Sequence, residues 1–239
     1  MRSAMLLGHG SPDPAACAEI VEFRELVTAR LGAPVGLGVL EFPAVGLPSL
    51  GEAFAALARS SRVAAQPLVL FDGLHARRDI PSRAEQAAAA LGLDIRLGAV
   101  LGGEDALIQL VSERLADQGG GFGDVLLFIG RGSSDERALE QTRAVAAGVA
   151  LRTGLDHVVC YTGISQPSLA GGMAEALTRR PARVLALPYL LHTGILVRRA
   201  TEVLVPLAAR AGVELVVLAH IGNGPVLVEL VARRLEAML

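Results

Sequence analysis

The amino-acid sequence predicts an α/β fold made of two similar lobes, each built on a parallel sheet. Three observations support this prediction: short apolar segments alternate with helical segments, the core must be aliphatic, and the second half repeats motifs of the first. Of the 239 residues, 52% are hydrophobic but only 3% are aromatic, and no Trp occurs. A core of Ala, Val, Leu and Ile is typical of parallel sheets covered by helices.

The alternation of strands and helices is regular, as expected for consecutive βαβ units. The predicted strands are 4–8, 35–40, 63–71, 95–100, 125–129, 158–162, 184–187 and 215–219. In the first half the predicted helices are 15–31, 49–59, 82–91 and 104–117. Each half is expected to carry four strands and four helices.

An internal duplication is visible as motifs that recur in the same order in both halves. The paired segments are 7–13 with 129–135, 48–50 with 167–169, 73–78 with 194–199, and 107–115 with 227–235. A Gly-rich segment, 118–123, lies between the copies and has the composition of a linker. The predicted domains are therefore 1–118 and 124–239. We expect a ligand in the cleft between them, outside the carboxyl ends of the strands.

Charge and cysteine usage exclude several classes of protein. All 22 basic residues are Arg, and the formal net charge of -2 argues against a nucleic-acid partner. Cys17 and Cys160 are far apart, as expected for small buried side chains in a reducing compartment. The sequence shows no targeting segment and no apolar run of about 18 residues. It predicts a cytoplasmic protein with no membrane partner.

Candidate metal ligands follow three predicted strands of the first half. His9 comes directly after the first strand, Glu41 after the second and His75 after the third. Because carboxyl ends of parallel strands share one edge of a sheet, these side chains are expected to lie together. Two imidazoles and one carboxylate suit Co²⁺, Fe²⁺, Ni²⁺ or Zn²⁺, and an incomplete ligand set leaves positions for a substrate atom.

Several strings in the sequence resemble one enzyme family. They are Leu-Leu-Gly-His-Gly-Ser around His9, Gly-Leu-His-Ala-Arg-Arg-Asp-Ile-Pro around His75, Gly-Arg-Gly-Ser-Ser-Asp around Arg131, and the segment 187–197. Together they are similar to the family that inserts cobalt or iron into sirohydrochlorin. The resemblance implies a class II chelatase fold, with the ligands carried over onto His9 and His75 and onto Glu41.

The resemblance also implies the reaction and its participants. The chain is expected to be a lyase that inserts Co²⁺ or Fe²⁺ into a sirohydrochlorin-type tetrapyrrole in cobalamin or siroheme biosynthesis, with Ni²⁺ or Zn²⁺ as substitutes in vitro. The metal is a substrate, and no organic cofactor is expected. His9 and His75 act in turn as ligand and base, since two pyrrole protons must leave. We expect a monomer or a weak homo-oligomer.

Basic side chains are the candidates for binding the carboxylates of the tetrapyrrole. Arg77 and Arg78 follow His75 closely, and Arg131 replaces His9 in the second copy. His192 is a further candidate for lining the site, although a structural role fits it equally well. For His157 and His220 a structural role is favoured.

Two other functions fit part of the sequence. A non-catalytic protein that binds metal or tetrapyrrole would use the same residues, and only turnover separates it from a chelatase. A histidine-phosphatase-like enzyme would use His9 as a phosphorylated nucleophile. That reaction usually needs an Arg beside the His, whereas Gly8 precedes His9 here.

Overall fold

The computed structural model describes residues 2–43 and 47–239, in which strands alternate with helices. The strands are β1 (Arg2–Gly8), β2 (Val35–Val39), β3 (Arg62–Pro67), β4 (Asp94–Leu97), β5 (Val125–Gly130), β6 (Asp156–Tyr161), β7 (Arg183–Pro188) and β8 (Glu214–Val217). The helices are α1 (Pro14–Leu31), α2 (Leu50–Ala55), α3 (Ile80–Leu91), α4 (Asp105–Asp117), α5 (Glu136–Thr153), α6 (Leu169–Thr178), α7 (Ile195–Ala211) and α8 (Pro225–Met238). A π-helical turn, His75–Asp79, directly precedes α3.

The strands form two parallel sheets with the same topology. Their orders are β2-β1-β3-β4 and β6-β5-β7-β8, and every pairing within them is parallel. The predicted α/β class and the two similar lobes are confirmed. In each sheet the first strand lies between the second and the third, so the order in which successive strands are added reverses at the first strand. Open α/β sheets bind ligands at such a switch point.

Each sheet is covered by helices that bury aliphatic side chains against it. Met5, Leu7 and Val63 belong to one buried cluster, and Leu127, Ile129 and Val184 belong to the other. The central strands β1 and β5 are buried on both faces over most of their length, which explains why they appear in the sequence as continuous apolar runs rather than alternating ones. In the described part of the chain no helix is long and apolar enough to cross a membrane.

The chain divides into two compact units whose bounds differ from the predicted domains 1–118 and 124–239. Unit 1 comprises Met1–Leu101 with Asn223–Leu239, and unit 2 comprises Gly102–Gly222. The last helix of each sequence repeat is exchanged: α8 packs against α1 in unit 1, and α4 packs against α5 in unit 2. The repeat is thus a property of the sequence, whereas the compact units are set by where α4 and α8 bury their apolar faces.

Two equivalent arginines fasten the exchanged helices. Arg114 of α4 donates to the carbonyl oxygens of His220 and Ile221, at 2.7 and 2.9 Å, within unit 2. Arg234 of α8 donates to the carbonyl oxygen of Ala99 at 2.6 Å within unit 1. Burial lowers the pKa of Arg114. Each helix is therefore held in its unit by a guanidinium that donates to main-chain carbonyl oxygens.

Several predicted elements are shorter in the structure. Strand β3 ends at Pro67 instead of 71, because its neighbour β1 ends at Gly8. Beyond Pro67 the pairing continues only through Leu68 N–H, which donates to the Leu7 carbonyl oxygen at 2.8 Å. Helix α2 ends at Ala55 instead of 59, since the next amides bond three residues back in a tighter turn.

Candidate metal centre

The ends of three strands bring His9, Glu41 and His75 together in unit 1. The main-chain pairing of β1 and β2 continues past both strands, with Leu40 N–H donating to Gly8 at 3.0 Å and Glu41 N–H donating to His9 at 2.9 Å. The candidate ligand atoms of His9, Glu41 and His75 all lie within 4.8 Å of one another. Within residues 2–43 and 47–239 this is the one group of three or more such side chains.

A glycine makes the approach of Glu41 to His9 feasible. Gly10 has φ +90°, a conformation that L side chains rarely adopt. A Cβ atom at this position would lie 1.9 Å from the carbonyl oxygen of Glu41, far inside van der Waals contact. The Gly-His-Gly sequence therefore has a physical reason, because the residue after His9 must leave room for the main chain of Glu41.

Hydrogen bonds set which nitrogen of each imidazole is available to a cation. The Nδ1 atom of His75 lies 2.8 Å from the Asp79 carboxylate, and Nδ1 of His9 lies 3.1 Å from the Gly10 carbonyl oxygen. Both partners are acceptors, so each Nδ1 carries the proton and each Nε2 keeps its lone pair. The two rings meet edge to face, with centroids 4.6 Å apart and planes at 86°.

The donor set has the chemistry of an open transition-metal site. Two imidazole nitrogens and a carboxylate oxygen suit a divalent first-row ion and leave coordination positions free. Thiolates do not contribute: burial raises the pKa of Cys17, and it raises that of Cys160 to about 12, so both remain neutral thiols.

The candidate substrate-binding residues lie in both units. Arg77 and Arg78 belong to the π-helical turn of unit 1, within one turn of His75, and both are exposed. Arg131 follows β5 in unit 2 and is exposed, whereas His192 follows β7 and is half-buried. Gly163 N–H donates to the Arg131 carbonyl at 2.9 Å, as Glu41 N–H does to His9, so Arg131 occupies the His9 position of the second copy.

Sequence reasoning missed Asp79. This residue stands four positions after His75, within a string that was itself singled out, and its carboxylate bonds the imidazole. Spacing of four residues on a helix would have indicated a contact. The apolar pattern, however, predicted that the helix begins at Ser82, so no helical conformation was predicted for the turn from His75 to Asp79.

Comparison with known proteins identifies the family. The CbiX family model matches the chain twice, over residues 3–118 and 125–238. The chain belongs to the CbiX family. The two matched ranges begin and end within two residues of the two sequence repeats, so the CbiX family model matches each half of the chain separately.

Relatives of this CbiX chain include two named chelatases of Priestia megaterium. The sirohydrochlorin ferrochelatase is 26% identical over 88% of this chain and 81% of its own. The sirohydrochlorin cobaltochelatase is 24% identical over 84% of this chain and 68% of its own. Among solved structures, the sirohydrochlorin chelatase SirB from Bacillus subtilis subspecies spizizenii in complex with cobalt has a TM-score of 0.81 at 24% identity, covering 99% of this chain and 94% of that one. Its likeness shows that the fold is shared along the whole chain.

Proposed function

We propose that this protein is a chelatase that inserts Co²⁺ or Fe²⁺ into sirohydrochlorin, with both the metal and the tetrapyrrole as substrates. The observation that carries the proposal is the set of three ligand atoms, from His9, Glu41 and His75, within 4.8 Å of one another at the strand ends of unit 1. Membership of the CbiX family and the names of the relatives support the reaction.

In the proposed reaction the first unit delivers the metal. Nε2 of His9, Nε2 of His75 and a Glu41 carboxylate oxygen hold the ion, and its remaining positions accept pyrrole nitrogens of the ring. Insertion of a divalent ion displaces two pyrrole protons, so the charge balances. As the metal moves to the ring, the imidazoles lose their ligand role and become available as bases for those protons.

Arginines of both units are proposed to bind the carboxylates of the substrate. Arg77 and Arg78 lie close in sequence to the metal ligands, and Arg131 replaces His9 in the second copy, where a guanidinium excludes a cation but binds a carboxylate well. His192 is a weaker candidate for the same role. The cytoplasmic location, the monomeric or weakly homo-oligomeric state and the lack of nucleic-acid or membrane partners stay predictions.

The test measures metallation directly. Purified protein is mixed with metal-free sirohydrochlorin and Co²⁺ or Fe²⁺, and the absorbance change is compared with the uncatalysed rate. We expect His9→Ala and His75→Ala to lose metallation and Co²⁺ binding, while His157→Ala, at the amino end of β6 in unit 2, keeps both. Sirohydrochlorin binding without turnover in the wild type would instead support a non-catalytic carrier. Full rates in both site variants would refute the residue assignment.

A further inference from the structure

The strand that leads to His75 carries a fully buried polar side chain. Gln66, the residue before the last of β3, is 0% exposed. Its Nε2 amide donates to the carbonyl oxygens of Pro67 and Ala99, both at 2.9 Å, while Oε1 accepts no hydrogen bond from any residue that the structure describes. Burial of an amide costs free energy unless its hydrogen bonds with water are all replaced. The fold therefore gains less from Gln66 than from an apolar side chain of the same size.

The second unit shows that the fold does not require this amide. Gln66 and Leu187 each precede the proline that ends the third strand of its sheet, so the two residues occupy equivalent positions. Leu187 is also 0% exposed, and its sheet has the same topology. An apolar side chain thus fills this position in one unit, whereas a polar one is retained in the unit with the candidate metal ligands.

A second difference between the units accompanies the first. Gly98 N–H donates to Ala65 at 2.9 Å, as Leu218 N–H donates to Ala186 at 2.8 Å, so Gly98 corresponds to Leu218. A Cβ atom at Gly98 would lie 2.1 Å from Oε1 of Gln66, far inside van der Waals contact. The glycine therefore makes room for the amide, and the two replacements form a matched pair.

The amide acts on the first carbonyl group beyond the sheet. In unit 2 the carbonyl oxygen of Pro188 accepts from Leu190 N–H at 2.9 Å, which closes a tight three-residue turn. In unit 1 the equivalent oxygen belongs to Pro67, and its donor is the side-chain amide of Gln66. The side chain thus occupies the acceptor that closes the turn in unit 2.

The other acceptor of Gln66 belongs to a segment that α8 fixes. The carbonyl oxygen of Ala99 also accepts from Nη1 of Arg234, on α8, at 2.6 Å. Two residues further along, Leu101 N–H donates to the carbonyl oxygen of Val69 at 2.9 Å. The amide therefore joins the beginning of the chain that leads to the candidate ligand to a neighbouring segment that is itself held in place.

We propose that Gln66 is a positioning residue for the metal centre, acting through the main chain and not by contact with the ion. The amide holds the Pro67 carbonyl, so that segment 68–74 brings His75 beside His9. Without it, that carbonyl closes the turn seen in unit 2, and His75 is displaced. The inference rests on the proposed metal centre and deepens it. Within the residues that the structure describes, unit 2 has no such group of ligands to position.

The experiment compares Co²⁺ binding with stability in variants of the full chain. Gln66→Met keeps the length of the side chain without its donor, and Gln66→Leu with Gly98→Leu copies the apolar pair of unit 2. Leu187→Met is the matched control in unit 2. Isothermal titration measures the Kd for Co²⁺, and urea unfolding measures the midpoint. We expect both Gln66 variants to raise the Kd by about tenfold at a midpoint no lower than that of the wild type, and the control to change neither. The visible spectrum of bound Co²⁺ should change in the Gln66 variants alone, because it reports the arrangement of the ligands.

The outcomes separate the inference from the function on which it rests. A wild-type Kd in both Gln66 variants would refute the positioning role and leave the metal centre standing. A lower urea midpoint in both would assign the amide to stability and would equally overturn the role. A rise in Kd of the same size in Leu187→Met would show an effect of core repacking in general. Wild-type protein that binds no Co²⁺ would refute the proposed metal centre, and the inference with it.

Discussion

The carboxylate of Asp79 lies 2.8 Å from Nδ1 of His75, and the two residues stand four positions apart, at the two ends of one π-helical turn. Because the carboxylate accepts the Nδ1 proton, the imidazole keeps one tautomer and one orientation, with Nε2 available to a cation. Asp79 is therefore expected to act on the metal through His75 rather than by touching it.

Removal of this carboxylate should weaken metal binding. We expect Asp79→Ala to lower the affinity for Co²⁺ by about 10- to 100-fold, and Asp79→Asn, whose amide oxygen still accepts the proton, to lose less. Isothermal titration of the metal-free protein measures both. Glu85→Ala, an exposed carboxylate further along α3, is the control and should bind as the wild type. An Asp79→Ala protein with wild-type affinity would exclude the positioning role.

Gly10 and Gly32 provide a matched pair for the steric argument. Both have positive φ, but a Cβ at Gly32 meets nothing within 4 Å, whereas one at Gly10 lies 1.9 Å from the Glu41 oxygen. Gly32→Ala should reduce the free energy of unfolding by about 1 kcal/mol, the strain alone. Gly10→Ala should reduce it by about 3 kcal/mol and also weaken Co²⁺ binding. Urea unfolding and titration measure the two effects, and equal losses in both variants would contradict the clash.

The pair Asp124–Arg183 predicts a pH dependence of stability in unit 2. Asp124 is buried, Arg183 donates to it at 2.7 Å, and this hydrogen bond lowers the pKa of the carboxyl group. A lowered folded-state pKa stabilises the fold above the unfolded pKa, near pH 4, and this contribution is lost as the pH falls through the folded value. Asp124→Asn should therefore lower the Tm by about 3 °C at pH 7, and by progressively less below pH 4.

Thermal unfolding at a series of pH values checks this prediction. Asp117→Asn serves as the control, because Asp117 is exposed at the end of α4 in the same unit. Its Tm should match the wild type at every pH. A loss of stability in Asp124→Asn that grew with acidity would have the opposite sign and would refute the assignment.

The left-handed backbone at Phe42 should reduce the stability of the protein. Asn adopts positive φ more readily than Phe, so Phe42→Asn is expected to raise the free energy of unfolding by about 1 kcal/mol. The same substitution at the fully exposed Phe122, which lacks a positive φ, should leave stability unchanged. Urea unfolding compares the two. A destabilised Phe42→Asn protein would show that the backbone at this position is not strained.

The sequence predicted those features that depend on local pattern and on parallel topology. Alternating apolar and helical segments gave the α/β class, and His9, Glu41 and His75 were expected together because each follows a parallel strand. Their convergence needed no knowledge of the loops, since the carboxyl ends of β1, β2 and β3 meet at one edge whatever the turns between them.

Other features depend on information that a local pattern does not carry. The apolar faces of α4 and α8 look alike, and nothing in their periodicity says which sheet each will cover, so the exchange of helices was not foreseen. The π-helical turn was missed for a related reason. Its extra residue changes which side chains share a face, and this change is set by the bond from Ile80 N–H to the His75 carbonyl rather than by composition.

The exchange of α4 and α8 also bears on how the protein forms during synthesis. Unit 2 is a continuous stretch of chain inserted within unit 1, whose final helix, Pro225–Met238, is made only after all of unit 2. During synthesis, unit 2 can fold as soon as it leaves the ribosome. Unit 1 cannot complete its fold until α8 has been made, because α8 packs against β3 of its sheet. The unit that carries His9, Glu41 and His75 is then the last part of the protein to fold, and a chain stalled before residue 225 would carry these candidate ligands on an incomplete fold.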